Sequence, residues 1–321
     1  SLETYLPKLV RAGQRVAICD QLEDPKATKT IVKRGVTELV TPGVSYSDHI
    51  VQQKSNNYLA SIFFDKNVTG IAFLDISTGE FLVAQGNAAY IDKLMQGLKP
   101  TEVIMGKRQY KSFVEQFGSQ FYTYTLDEWP YTGDYAEEIL LKHFEVQSLK
   151  GFGIDRLPVA IVAAGVALHY LNETEHRNLQ HISNISRIEE DHYMWLDRFT
   201  IRNLELIGSA NEHAVTLADV LDQTASPMGA RLLKRWMVMP LKDEKAIAER
   251  LDVVDYLYTH KDLREALVRE IRQIGDLERL ISKIGLLKAN PREVVQLKRA
   301  LYAIEKLKAL TGEADASALQ M

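Results

Sequence analysis

Apolar residues recur along this chain in changing rhythms, and the changes mark its organisation. Leu2, Leu6, Leu9 and Val10 lie at helical spacing, with Gly13 where a helix C-cap belongs. Residues 15–20 and 36–40 then read as strands, separated by the polar, proline-marked loop 22–29 and closed by Thr41-Pro42-Gly43. From Asn57 the chain is β-rich, with strands expected at 58–64, 68–76 and 80–84, broken at Asp65-Lys66-Asn67 and Ser77-Thr78-Gly79. Helices at 88–98, 109–117 and 135–143 then alternate with strands at 102–105 and 121–125. A glycine-containing loop at 150–153 precedes a long apolar helix, opened by Pro158 and ending near Glu175. Its Ala160, Ala163, Ala164, Gly165 and Ala167 allow close approach by neighbours.

Beyond about His181 a short mixed passage leads into a nearly continuous 3.6-residue rhythm. It predicts helices at 217–223, 228–237, 244–259, 261–272, 276–285 and 291–310. Asn290 as N-cap, Pro291 at the first helical position and Glu293 reaching back form a capping box for the last helix. Val294, Leu297, Leu301, Ile304 and Leu307 form an apolar stripe along that helix and are expected in a core. The small, polar tail 311–321 is expected to fray.

The fold class expected is multidomain, α/β followed by all-α. Three meander strands and then alternating helix and strand, βββαβαβα, is the order of ribonuclease-H-like domains, with a mixed sheet. The expected division is 1–45, too small for a complete domain and read as the tail of one; 46–180, the mixed-sheet domain; and 181–321, an incomplete helical domain. The chain begins at Ser1 without Met, inside a helical pattern, as expected of a piece of a longer protein.

A length of 321 residues supports two or three separate cores. The formal charge of −4 argues against nucleic-acid binding by the chain as a whole, while leaving room for one basic face. Residues 227–310 carry 18 Lys/Arg against 12 Asp/Glu, a local excess of six positives. Arg231, Lys234 and Arg235 share one side of a helix, and Lys298, Arg299, Lys306 and Lys308 lie along another. Of these, Arg231, Lys234, Arg235, Lys298 and Arg299 are the candidates for DNA-backbone or interdomain contacts. Solvated helix faces with ion pairs are the plainer alternative. The single cysteine, Cys19, allows no disulfide within the chain, fits the cytoplasm, and is expected to be buried. No apolar run reaches the roughly 18 residues of a membrane span.

Phosphate-binding chemistry needs GxxxxGK[ST], which does not occur; around the Gly106-Lys107 pair, Thr101 and Arg108 replace the required residues. No ATP hydrolysis and no cofactor are therefore expected of these residues. A two-metal nuclease, the alternative function, needs converging carboxylates. Asp65, Asp75 and Glu102 are poorly spaced for that and read better as turn or strand-end acids. The histidines form no metal motif; His169 and His176 can share a helix face in a partly exposed structural role. No catalytic or metal site is expected.

Several stretches, in order, carry a resemblance. They are YLPKLVRAGQRVAICDQLEDPK, KRGVTELVTPGVSYSD, GIAFLDISTGEF, AAGVALHYLNET, LDRFTIRNLEL, TLADVLDQTASPMGARLLKRWMVMPL and DLERLISKI followed by NPREVVQLKRAL. Along nearly its whole length the chain resembles the MutS family of DNA mismatch-repair proteins. Asp20 departs from the family's usual Glu, and the match is looser near Val44 and Ser45. The opening motifs argue against shorter relatives that lack the first two domains.

The resemblance implies an internal piece: the end of the mismatch-reading domain, a connector domain and part of a core or lever domain. MutS proteins dimerise around mismatched double-stranded DNA and switch with ATP and Mg to recruit MutL. The intact protein is thus expected to be a DNA-dependent ATPase and a homodimer, with this piece a connector and lever scaffold. The family's mismatch wedge, Phe-x-Glu, is expected upstream of Ser1, and its ATPase downstream of Met321. Phe113-Val114-Glu115 has the wedge's spelling inside a predicted connector helix and is read as coincidence. Asn203, Asp222, Pro227, Gly229, Arg231 and Trp236 match core motifs and are expected to build the core and its junctions. Pro227 and Gly229 are expected to form a tight helical corner, and Trp236 a core anchor.

Overall fold

The computed structural model describes residues 2–24, 26, 31–176, 178–209, 211, 214–312, 314 and 319. Most of the tail 311–321 and part of the loop 22–29 lie outside the described residues. The chain divides into two compact units. One comprises Ser1–Gln52, Asn57–Ile91 and Lys99–Ile188; the other Gln53–Asn56, Asp92–Leu98 and Glu189–Met321.

The first unit opens with helix α1 (Leu2–Arg11), ended by Gly13 at φ +81°. Strands β1 (Val16–Gln21) and β2 (Arg34–Val40) form a separate antiparallel ribbon. Only one face of this ribbon is covered: Val16 and Ile18 pack toward Val10, Val40 and Ile50. Cys19, at a register shift in the pairing of β1 with β2, is exposed rather than buried as its apolar neighbours suggested.

Strands β3 (Leu59–Asp65), β4 (Val68–Asp75) and β5 (Glu80–Gly86) form the antiparallel meander. Helix α2 (Ala88–Leu98) follows, then β6 (Glu102–Gly106), α3 (Tyr110–Phe117), β7 (Thr123–Leu126) and α4 (Gly133–Phe144). β6 pairs parallel to β3, and β7 parallel to β6. A two-residue strand β8 (Ser186–Arg187), which no periodicity announced, runs parallel to β5. The sheet order is β7-β6-β3-β4-β5-β8.

Helix α5 (Pro158–Glu173) belongs to the main core of this unit, and every residue from Val159 to Leu171 is buried. A helix apolar all round belongs inside a domain. Its fit depends on two glycines. A Cβ on Gly165 would lie 2.5 Å from the Ala136 Cα of α4, and one on Gly70 of β4 would lie 2.2 Å from the Val159 carbonyl oxygen. Both close approaches are to backbone atoms.

The second unit contains α6 (Arg198–Asn203), α7 (Leu217–Leu221), α8 (Pro227–Val238), α9 (Glu244–Thr259), α10 (Lys261–Ile274), α11 (Leu277–Gly285) and α12 (Pro291–Gly312). The expected capping box of α12 is present: Asn290 Oδ1 accepts from the Glu293 amide, and Glu293 Oε2 from the Asn290 amide. The expected core stripe of α12 is corrected in part. Ala300 and Ala303 are the fully buried residues, packed with Ile274, Leu277, Ile304 and Leu307, whereas Val294 and Leu301 are exposed. Small side chains let α10 and α12 approach closely, so the seam follows alanines that an apolar-size pattern undervalues.

Candidate functional site

The longest of the resembling stretches, residues 216–241, builds a corner of the helical unit. Thr216 caps α7 in a full capping box with Asp219, whose carboxyl the Thr216 hydroxyl and amide hold below the usual carboxylate range. Asp222 ends α7; its Oδ1 accepts from the Thr224 amide and hydroxyl, and its Oδ2 meets Lys54 Nζ at 2.7 Å. Those bonds, with Lys54 the largest influence, depress its pKa to about 2. Ser226 caps α8 by accepting from the Gly229 amide, and Pro227 occupies the first helical position. A Cβ on Gly229 would sit 3.3 Å from Thr224 Cβ, so the turn before α8 is close-packed but not closed to a methyl group. Asn203 ends α6 on the exposed surface.

Arg231 is 4% exposed. Its Nη1 donates to the Gln53 carbonyl and Asp276 Oδ2, both at 2.8 Å. Its Nη2 donates to Asp276 Oδ1 at 2.7 Å and Glu278 Oε2 at 2.6 Å. Burial works against the cation, but the two carboxylates outweigh it and raise the guanidinium pKa. Arg231 is therefore committed within the protein rather than presented to phosphates. Lys234 donates to Ser55 Oγ at 3.0 Å, and Arg235 is half-buried. Lys298 and Arg299 are solvent-exposed on α12, with Lys298 Nζ 5.9 Å from the Tyr302 ring centroid. Lys306 lies 3.8 Å from Glu270. The face of α12 thus keeps open cations, while that of α8 largely does not.

Trp236 is 40% exposed and carries Arg250 over its ring at 3.7 Å. It is a surface cation–π pair rather than the expected core anchor. The residues that hold Arg231, namely Asp276, Glu278 and the backbone of Gln53, were not singled out in sequence. Asp276 and Glu278 sit inside the DLERLISKI motif, the only signal that pointed toward them.

The nuclease carboxylates do not converge. Asp65 ends β3 opposite Val68, while Asp75 and Glu102 lie at the other end of the sheet, beside Leu59. Six residues of strand separate those ends, about 20 Å. Asp75 is buried and accepts from the Ser77 amide and hydroxyl and the Asn57 amide. Glu102 is buried too, accepting from the Thr41 hydroxyl, the Gly43 amide and the Tyr170 hydroxyl. These carboxylates hold turns and strand ends, so the nuclease reading has no support. No group of three metal-ligating side chains assembles among the described residues.

His169 and His176 are both buried, not partly exposed. His169 Nδ1 meets the Tyr135 hydroxyl at 2.7 Å, and His176 Nδ1 meets Thr174 Oγ1 at 3.1 Å. Phe113 of the wedge-like triplet is fully buried against Phe117 and Phe121. Gly106 ends β6, and Lys107, in the turn that follows, pairs with Asp127. No helix among the described residues is long and apolar enough to cross a membrane.

A mixed-sheet α/β unit and a separate, capped and salt-bridged helical unit define a multidomain protein of α/β and helical parts. Family models sharpen that class: MutS domain I matches residues 1–49, MutS domain II 57–183 and MutS domain III 199–321. The chain is 55% identical over 98% of its length to the DNA mismatch repair protein MutS of Cytophaga hutchinsonii. It is 57% identical over its whole length to that of Flavobacterium johnsoniae, and 56% identical over 98% to that of Bacteroides fragilis. It spans 37%, 37% and 36% of those proteins, respectively. The chain belongs to the MutS family of DNA mismatch-repair proteins.

Proposed function

We propose that this chain is the connector and lever scaffold of a protein that binds mismatched double-stranded DNA and couples its ATP state to recruitment of MutL. The observation that carries the reading is the match to MutS domains I, II and III, in order, with relatives 54–57% identical over nearly the whole chain. The intact protein acts, on this reading, as a cytoplasmic homodimer and DNA-dependent ATPase. ATP and Mg bind outside residues 1–321, which contain no GxxxxGK[ST].

The division proposed is 1–45, tail of the mismatch-reading domain; 46–180, connector; and 181–321, helical lever. The family-model ranges support it. The β7-β6-β3-β4-β5 order, an antiparallel meander flanked by parallel strands, supports a ribonuclease-H-like connector. The exposed cations Lys298 and Arg299 support weak contact with a DNA backbone.

Fluorescence anisotropy of the 321-residue chain with matched and mismatched duplexes tests its part. Expected is weak binding that falls steeply with salt and is the same for both duplexes. A clear preference for the mismatch would overturn the scaffold assignment. For the intact protein, loss of mismatch preference and of ATP-dependent MutL capture would overturn the wider reading.

A further inference from the structure

The four residues Gln53–Asn56 belong to the helical unit, although the chain before and after them belongs to the sheet unit. They fall in the gap between the ranges matched by MutS domains I and II. Their anchorage is dense. The Gln53 carbonyl accepts from Arg231 Nη1, and the Ser55 carbonyl from Arg279 Nη2 at 2.7 Å. Ser55 Oγ accepts from Lys234, and Lys54 pairs with Asp222. Arg231 and Arg279 are each 96% buried, at 4% exposure. Two buried guanidiniums, each donating to a carbonyl of one short irregular segment, form a built attachment, because a charge-assisted hydrogen bond is lost at each carbonyl if the segment departs.

Two carboxylates in the first turn of α11, Asp276 and Glu278, hold Arg231, and Asp276 has a second role. Asp276 receives both terminal nitrogens of Arg231, and the same side chain caps α11 by accepting from the Arg279 amide at 3.4 Å. Gly275, at φ +69°, separates α10 from α11 immediately before it. Only glycine adopts that backbone readily, so the start of α11 sits on a natural pivot. We propose that Gln53–Asn56 is a strap held on the helical unit by Arg231 and Arg279, and that the first turn of α11, through Asp276, controls whether it is fastened.

Lys54 places a tryptic site in the strap itself. Trypsin cuts only backbone that can leave its surroundings, so the rate of cleavage at Lys54–Ser55 follows the population of the released strap. Limited trypsinolysis of the whole chain, read by mass spectrometry, should show slow cutting there in the wild type. Arg279→Met is expected to speed it by about tenfold or more, the scale of a lost charge-assisted hydrogen bond. Asp276→Asn, which touches no strap atom, is expected to speed it severalfold, and Lys234→Met about threefold as the milder variant least able to disturb folding. Cleavage after Arg250 and Lys261 should stay at the wild-type rate. Wild-type cutting at Lys54 as fast as at exposed Lys288 would overturn the strap. An Asp276→Asn rate equal to wild type would overturn control by α11. Acceleration at all sites in parallel would show that these residues merely hold the unit together.

Discussion

Single residues in this protein act mostly by position. Gly70 shows it most sharply, since a methyl group there would meet backbone of α5, which has no rotamer to yield. Gly70→Ala is expected to cost about 2–3 kcal/mol, seen as a lowered urea midpoint of the sheet unit. An unchanged midpoint would mean that α5 shifts freely on β4. Arg231 teaches a different lesson. Its place on a helix with Lys234 and Arg235 was legible, and its charge suggested phosphate. Its partners came from residues 45 or more positions along the chain and from a backbone carbonyl, and no local pattern encodes those. Cys19 and Trp236 depart from expectation for a related reason. Residue type argues for burial, but each lies on the uncovered side of its element, and only the tertiary arrangement decides which side that is.

At the scale of elements, much was written in periodicity and caps. Helices α2 and α9 have the bounds expected, and most other helices and strands differ by a residue or two at their ends. The caps explain why: Thr216, Ser226, Asp243, Asp276 and Asn290 are short polar side chains that accept from the first-turn amides. The two-residue β8 is too short to have a period, and the strap has no regular structure to predict. The α12 seam supplies a paired test. Ala300→Leu, into the fully buried seam, is expected to destabilise the helical unit by about 1–3 kcal/mol. Leu301→Ala, one position round the helix and 56% exposed, is expected to change stability by less than about 0.5 kcal/mol. Equal effects in chemical denaturation would return the seam to the larger apolar residues.

For the whole molecule, two units with separate cores imply that unfolding is not one all-or-none transition. Acid separates them. His143 and His181 lie in the sheet unit, and burial lowers the pKa of both below 6.5. Above pH 6.5 they are neutral in both folded and unfolded chains and cost nothing. As pH falls through 6.5 the unfolded chain takes up protons that the folded unit resists, so stability declines until the lowered folded values are passed. Calorimetric scans between pH 7.5 and 5.5 should show the sheet-unit transition moving down. His143→Gln with His181→Gln should flatten that slope, and an unaltered slope would assign the acid sensitivity elsewhere.

The long interval between the meander and α5 bears on how the chain is made. β4 is complete at Asp75, yet the helix that shields Ala72 and Leu74 begins only at Pro158. On a ribosome adding roughly 5–20 residues each second, that apolar face waits several seconds for its cover. During this time the nascent chain displays hydrophobic strands to any neighbour. Slowing synthesis across residues 76–157 should therefore raise aggregation of the newborn protein, even though the finished molecule keeps its stability.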